Sequence, residues 1–230
     1  MRPMARTVSL NAAAPETLSW RGRNIRTGIF KEPVAERRIA GRYGISGDHV
    51  QDRRMHGGEE QAVYAYPSEH YRYWRETYPG LVLNWGAFGE NLTTAGLLEQ
   101  DVHVGDRFRL GESELEVSTL RIPCFKLGRR MGQPGFVRAF LASGRCGWYL
   151  RVVCGGEIGP DDRWEQVSSG PGQVSIAELV AMFRDPGFDP ARMAAAARVP
   201  ALPDSWREQL VSRLARMNMD RNPGGRRGPA

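Results

Sequence analysis

The sequence predicts a mainly β protein with helical inserts, followed by a small three-helix module. Residues 5–168 consist of short alternating apolar and polar runs broken by glycines, which is typical of a barrel or a folded sheet. Beyond residue 172 these runs give way to apolar positions at helical spacing. With 230 residues, the chain is long enough for one full core and a smaller appended unit.

The first part contains five segments that alternate or carry strand-forming residues. Strands are predicted at 7–10, 24–29, 114–120 and 148–153, with one or two more in 101–111 around a turn at Gly105.

Two helices are predicted within this first part. One covers 66–80, with Pro67 in its first turn and Pro79 and Gly80 at its end. Its residues Tyr71, Trp74 and Tyr78 share one face, which favours core packing. The other helix covers 135–142 and ends before a glycine.

A linker composition at 168–172 separates the predicted module, residues 173–217. Its first helix runs from a capping box at Ser175 and Glu178 through residue 183, its second from Asp189 through residue 197, and its third over 207–217. The Gly-, Pro- and Arg-rich tail 218–230 is predicted to be disordered. Such a tail either contacts nucleic acid or an acidic protein or only keeps the chain soluble.

Composition excludes several classes of protein. The net charge is +6, but no basic helix with interleaved aromatic residues indicates a reader of nucleic acid. Cys124, Cys146 and Cys154 are odd in number and match neither a disulfide framework nor a zinc site. Without a secretion signal or an apolar span, the sequence favours the reducing cytoplasm and no membrane association.

Cys124 is the residue most clearly marked for chemistry. It follows the predicted strand 114–120, comes directly after a proline, and is flanked by Arg121 and Lys126. Both cations favour the thiolate, which is the form that ligates metals or attacks substrates. The alternative is a buried cysteine that only packs in the core.

Two clusters rich in glycine suit a polar ligand. The first runs from Gly44 to His49 and continues at 56–58, where glycine amides can point at an anion. The second, 86–92, contains Glu90 and Asn91. The alternative interpretation of each cluster is an ordinary tight turn without a ligand.

Taken in order, these fragments resemble the MOSC domain, which is related to the C-terminal part of molybdenum cofactor sulfurases. The resemblance rests on Gly44-x-x-Gly47-Asp48, His56-Gly57-Gly58, Ala62-Val63-x-x-Tyr66-Pro67, Phe88-Gly89-Glu90-Asn91, Val104-Gly105-Asp106 and Pro123-Cys124-x-Lys126-Leu127. The helical tail is similar to the module of the YiiM-type subfamily.

This resemblance implies a MOSC-type β-barrel that binds the molybdenum cofactor, a molybdenum–molybdopterin. It places the metal ligand and catalytic residue at Cys124. It implies that the pterin and its phosphate are held by His56, Gly57, Gly58, Asn91, Arg121 and Lys126. Asp48 is expected to order its loop, and Cys146 and Cys154 to be structural.

The resemblance further implies an oxidoreductase that reduces N-hydroxylated compounds, such as hydroxylaminopurine bases, to amines. Because the sequence shows no iron–sulfur or dinucleotide motif, electrons would come from a separate flavoprotein-type reductase. Two alternatives stay open, namely a sulfur carrier or sulfurtransferase with a persulfide on Cys124 and a non-catalytic cofactor-binding protein. The module would close the pocket mouth, stabilise a homodimer or dock the reductase.

Overall fold

The computed structural model describes residues 4–49 and 58–221, with side chains through 218, and confirms a mainly β fold with helices at its C-terminal end. The strands are β1 Arg6–Ala12, β2 Glu16–Trp20, β3 Arg23–Thr27, β4 Glu32–Val34, β5 Arg38–Gly41, β6 Gly44–Ile45, β7 Val63–Pro67, β8 Leu92–Ala95, β9 Arg107–Leu110, β10 Ser113–Leu120, β11 Trp148–Cys154, β12 Gly156–Ile158 and β13 Trp164–Ser168.

Eight of these strands form one mixed sheet in the order β13-β9-β10-β11-β7-β8-β1-β4. All neighbours are antiparallel except β7 and β8. The sheet curls, because β1 also bonds to the chain entering β13: Thr7 N–H donates to Asp162 O at 2.9 Å and Trp164 N–H to Ala5 O at 3.0 Å. The sheet thereby forms a barrel-like wall in which β1 lies next to the edge strand β13. Strands β5, β6 and β12 form a smaller sheet, and β2 and β3 a separate hairpin.

The described helices are α1 Glu69–Thr77, α2 Phe125–Met131, α3 Phe136–Ser143, α4 Ile176–Arg184, α5 Pro190–Ala196 and α6 Asp204–Arg221, with a 3-10 turn at Glu59–Gln61. As expected, Tyr71 and Trp74 of α1 are fully buried. They pack with Phe88, Phe136 and Phe140, so the aromatic stripe belongs to the core.

The prediction that Pro67 lies in the first turn of α1 is wrong. Pro67 ends β7 instead and pairs in parallel with Thr94 of β8. A residue that precedes proline favours the extended conformation, and Tyr66 is accordingly in the strand. The helix α2, which directly follows Cys124, was not predicted.

The three-helix module is joined to the sheet by main-chain hydrogen bonds. Val104 N–H donates to Val174 O, and Ile176 N–H donates to Val102 O, each at 2.9 Å. The segment 168–172 is therefore not a free linker, because Ser168 ends β13 and buried Gly170 donates to Asp106 Oδ1 at 2.7 Å.

The capping box at Ser175 and the helix start at Asp189 are confirmed. The last helix is longer than predicted, since α6 includes residues 204–206 and 218–221. The rest of the predicted disordered tail, 222–230, lies outside the described residues.

Candidate functional site

A pocket opens where the end of β10, the start of α2 and the segment after β3 converge. Its cavity volume is about 100 Å³, and it opens to solvent. Its lining residues come from widely separated parts of the chain and are Thr27, Gly28, Ile29, Lys31, Asp48, His49, Gln61, Ala62, Tyr64, Gly89, Asn91, Arg121, Ile122, Cys124, Lys126 and Tyr149. Four of the predicted site residues, Asn91, Arg121, Cys124 and Lys126, thus meet in one cavity.

Arg121 supplies a buried positive charge to this pocket. It follows β10 directly and is only 4% exposed. Its guanidinium carbon lies 5.1 Å from the ring centre of Tyr64 and 5.6 Å from that of Phe140. Its Nε and Nη1 atoms have no hydrogen-bond partner within the described part of the chain. A buried donor without a partner costs about 1–3 kcal/mol, and an anionic ligand bound here would offset that cost.

Cys124 lies three residues after Arg121. It is half-buried and is the N-terminal capping residue of α2. Its thiol is close enough to Arg121 for the two to interact electrostatically. Lys126, in the first turn of α2, makes no ion pair with any residue that the structure describes. The pocket thus combines one soft thiol donor with two available cations.

A metal bound to Cys124 would need to bring most of its other ligands with it. Across residues 4–49 and 58–221, no three His, Cys, Asp or Glu side chains lie close enough together to hold a metal ion. Among the described residues, Cys124 therefore has too few protein partners for zinc, which is held by three or four protein ligands. A single thiol does fit a metal that arrives within a sulfur-rich organic cofactor.

Asn91 and Asp48 organise one wall of the pocket. The Asn91 amide donates to Asp48 Oδ2 at 2.8 Å and accepts from Tyr64 N–H at 3.1 Å. Asp48 Oδ1 accepts from Ala13 N–H at 2.9 Å, and Asp48 also forms a buried ion pair with Lys31. Asp48 therefore orders its loop, while Asn91 both lines the cavity and supports Asp48.

Lys31 is a pocket residue that sequence reasoning missed. Burial lowers the pKa of its ammonium group, although Asp48 opposes that shift. The backbone of the same segment is fixed by Arg130 of α2, whose guanidinium donates to the carbonyls of Ile29 and Lys31. No motif or periodicity marks Lys31, because its position depends on contacts with two distant segments.

Two tyrosines from neighbouring strands complete the apolar floor. Tyr64 lies on β7 and Tyr149 on β11, with ring centres 5.4 Å apart. Burial raises the pKa of both phenols, and the charge of Arg121 opposes that rise. The sequence places Tyr149 in a predicted strand and assigns no role to Tyr64.

The remaining predicted residues lie elsewhere or are not described. Gly58 precedes the 3-10 turn, with φ of 96°, and does not line the cavity as described. His56 and Gly57 lie outside the described residues. Cys146 is buried, in agreement with a structural role, whereas Cys154 is exposed on β11 and does not pack in the core.

Comparisons with known proteins agree with this architecture. A MOSC domain profile matches residues 52–165, and a profile of the YiiM-like 3-alpha helix domain matches residues 174–216. The chain is 37% identical over 213 residues to YflK of Bacillus subtilis (strain 168), covering 91% of this chain and 95% of YflK.

The crystal structure of YiiM from Geobacillus stearothermophilus superposes with a TM-score of 0.77 at 37% identity, covering 91% of this chain and 99% of that one. A protein of Gibberella moniliformis (strain M3125 / FGSC 7600) named as a reductase is 36% identical over 140 residues, which is 60% of this chain and 25% of that protein. None of the helices in 4–49 and 58–221 has the length and apolar character needed to cross a bilayer.

MOSC domains are associated with the molybdenum cofactor, and ten of the sixteen pocket residues lie within the matched range 52–165. The two profile matches and the relatives at 37% identity agree with the sheet, the pocket and the docked helices. They show that this chain belongs to the YiiM-like family of MOSC domain proteins.

Proposed function

We propose that this protein binds the molybdenum cofactor in the Cys124 pocket and reduces N-hydroxylated compounds, such as hydroxylaminopurine bases, to the corresponding amines. The observation that carries the proposal is the buried guanidinium of Arg121, which has donors without a partner among the described residues, in a cavity that also contains a half-buried thiol. A buried cation and a thiol line the same pocket, which supports the binding of a phosphate-bearing, metal-containing group.

The residues divide this work by their chemistry. Arg121 and Lys126 would hold the cofactor phosphate or pterin oxygens, since guanidinium groups bind phosphate through paired hydrogen bonds. Cys124 would ligate the metal through sulfur. The wall formed by Asn91 and Asp48 would present fixed polar groups to the pterin. His56 and Gly57, which lie outside the described residues, stay as predicted members of the same site.

The reaction needs two electrons and two protons for each substrate, because the N–O bond breaks and the oxygen leaves as water. The bound cofactor supplies the two-electron chemistry, as cofactors generally do in such enzymes. The protein's part is to bind, orient and exclude solvent. Electrons would come from a separate reductase, since the sequence contains no iron–sulfur or dinucleotide motif. The name of the fungal relative supports reductive chemistry for this region.

The test is a comparison of wild-type protein with Cys124→Ser and, as control, Cys154→Ser, all made in a host that synthesises the cofactor. We expect Cys124→Ser to lower the reduction of 6-hydroxylaminopurine about 100-fold or more, since removing even an outer partner of a metal ligand costs 10–100-fold. The exposed Cys154→Ser variant should keep both activity and molybdenum. Product is measured by chromatography, metal by elemental analysis, and folding by circular dichroism.

Other results would redirect the assignment. A serine variant with full activity and full molybdenum content would contradict the role of Cys124. Protein without molybdenum that releases sulfane sulfur to cyanide would instead identify a persulfide carrier. A protein that binds molybdenum but reduces nothing with any donor would be a cofactor-binding module.

A further inference from the structure

The cations of this protein are distributed unevenly along the chain. Residues 17–31 contain four Lys or Arg and no Asp or Glu, and residues 117–156 contain seven Lys or Arg and no Asp or Glu. Both segments contribute to the pocket, the first through Thr27 to Lys31 and the second through Arg121 to Lys126. Acid-free sequence is therefore concentrated around the cavity.

The two segments meet outside the cavity through aromatic contacts. The ring of Trp20, at the tip of the β2–β3 hairpin, stacks on Phe125 with centres 5.0 Å apart. The guanidinium carbons of Arg21 and Arg129 lie 5.3 and 5.8 Å from the Trp20 ring centre. Since Phe125 directly follows Cys124, this contact fixes a positively charged surface next to the thiol.

We call this surface the basic rim, and it consists of Arg21, Arg23, Lys126 and Arg129. Its three arginines are exposed, and none of its members makes an ion pair with another residue in the described part of the chain. The acids near this edge include Glu16 and Glu32, which interact with Arg130.

Other exposed arginines of the described structure differ from those of the rim in forming ion pairs. Many of them pair with a carboxylate, such as Arg6 with Asp161, Arg72 with Glu76 and Arg109 with Glu165. Charges that are left unpaired together on one face raise the local positive potential, which steers oppositely charged partners to that face.

We propose that the basic rim is the docking surface for an acidic electron-donor protein, a proposal that rests on the proposed reductase function. The exposed Ile122, 40% accessible, adds an apolar contact beside Cys124. An apolar centre with charged surroundings suits a small transient interface. A partner carrying a reduced flavin would deliver the two electrons per turnover and leave with its flavin oxidised.

A protein partner fits this surface better than a nucleic acid. Binding of single strands relies on open aromatic faces on which bases stack. Here the Trp20 ring is stacked on Phe125 and approached by two guanidinium groups. The rim offers charge without an open stacking platform.

The experiment uses full-length protein and a reduced flavodoxin of net negative charge as the probe. The variant Arg23→Glu reverses one charge of the rim and leaves Trp20, Arg21, Phe125 and Arg129 themselves unchanged. The matched control Arg198→Glu makes the same change in net charge at an exposed arginine of the helical module. Electron delivery is followed as hydroxylaminopurine reduction at low ionic strength, with dithionite-reduced methyl viologen as the alternative donor.

We expect the rim variant to take electrons from flavodoxin about 10-fold more slowly or worse, within the range that charge steering provides. Both variants should retain wild-type rates with methyl viologen, and the control should retain its rate with flavodoxin. A rim variant with the wild-type flavodoxin rate would overturn the proposal, as would an equal loss in the control.

Binding to protein made without cofactor separates this inference from the proposed function. Calorimetry should detect flavodoxin bound to cofactor-free wild type and to the control, but more weakly to the rim variant. If methyl viologen also fails to drive reduction by loaded wild type, the reductase function fails while this binding result still decides the docking surface. An oligothymidylate that binds the rim more tightly than flavodoxin would reassign it to nucleic acid.

Discussion

Arg121 illustrates how one residue can favour function over stability. Its charge is buried beside Tyr64 and Phe140, and two of its donors lack partners in the described structure. Removing a charge from water costs several kcal/mol unless it is fully paired. A ligand that supplies those partners would therefore bind strongly. Without the ligand, the protein bears the free-energy cost of the buried charge.

We predict that Arg121→Met stabilises the cofactor-free protein while it weakens cofactor loading. Methionine has a similar length and no desolvation penalty, and replacing buried charge by apolar groups is often neutral or stabilising by about 1–4 kcal/mol. The loss of contact with two aromatic rings reduces that gain, so about 1 kcal/mol is expected. Urea unfolding measures the first effect and molybdenum content the second. A less stable variant that loads normally would contradict both.

The three cysteines should differ in reactivity according to their surroundings. Burial raises the pKa of Cys146 to about 12, so at about pH 8 it is a protonated, inaccessible thiol. We predict that iodoacetamide labels Cys154 and Cys124 in native protein and leaves Cys146 unlabelled until unfolding. Peptide mass spectrometry identifies the labelled residues. Early labelling of Cys146 would show that the region between α3 and β11 opens readily.

At the scale of elements, hydrophobic periodicity and capping residues predicted the strands and helices whose formation depends on local sequence. Strands β10 and β11, the aromatic face of α1 and the capped starts of α4 and α5 agree with the structure because each depends on neighbouring residues. Helix α2 was missed because its seven residues, with two glycines nearby, carry too short an apolar pattern.

The pocket residues divide in the same way. Cys124, Arg121, Lys126 and Asn91 could be named because they belong to short motifs that the resemblance covers. Lys31, Tyr64 and Tyr149 could not, since they reach the cavity only after β7, β11 and the segment following β3 have come together. The local sequence around such positions does not indicate that tertiary contacts will bring them to the pocket.

The junction after β3 should tolerate no added volume. A Cβ atom at Gly28 would lie 1.9 Å from the main-chain oxygen of His49, so either backbone segment must move. We predict that Gly28→Ala lowers stability by about 1–3 kcal/mol and reduces cofactor loading, because the shift displaces the Asp48 loop. Gly80→Ala is the control, since its Cβ would meet nothing within 4 Å. Equal stability and loading in both variants would refute this tight approach.

At the scale of the molecule, the helical module and the barrel form a continuous packed body. Besides the main-chain bonds of α4, Arg151 of β11 donates to Ala201 O at 2.9 Å and pairs with Glu60 and Glu116. Met182, Met193, Trp206 and Leu210 belong to the same buried cluster as the sheet. The module is thereby a structural part of the protein, although it contributes no residue to the pocket lining.

We predict that ending the chain at Gly172 exposes apolar surface and lowers solubility. Residues Val102 and Val104 would lose their hydrogen-bonded neighbours Ile176 and Val174. If the shortened protein is kept soluble, it should still take up molybdenum through Cys124. Elemental analysis and circular dichroism measure this, and a folded shortened protein without molybdenum would mean that the helices complete the site.

The closure between β1 and the entry to β13 has a consequence for how the chain folds during synthesis. Arg6 and Asp161, which meet there, are separated by 155 positions. Because a contact between remote positions forms slowly, and a ribosome adds about 5–20 residues per second, the N-terminal half of β1 waits roughly ten seconds or more for the chain that enters β13. During that interval the edge of β1 opposite β8 is open to wrong pairings near Thr7. Expression at reduced temperature or with a holding chaperone should therefore raise the yield of native protein.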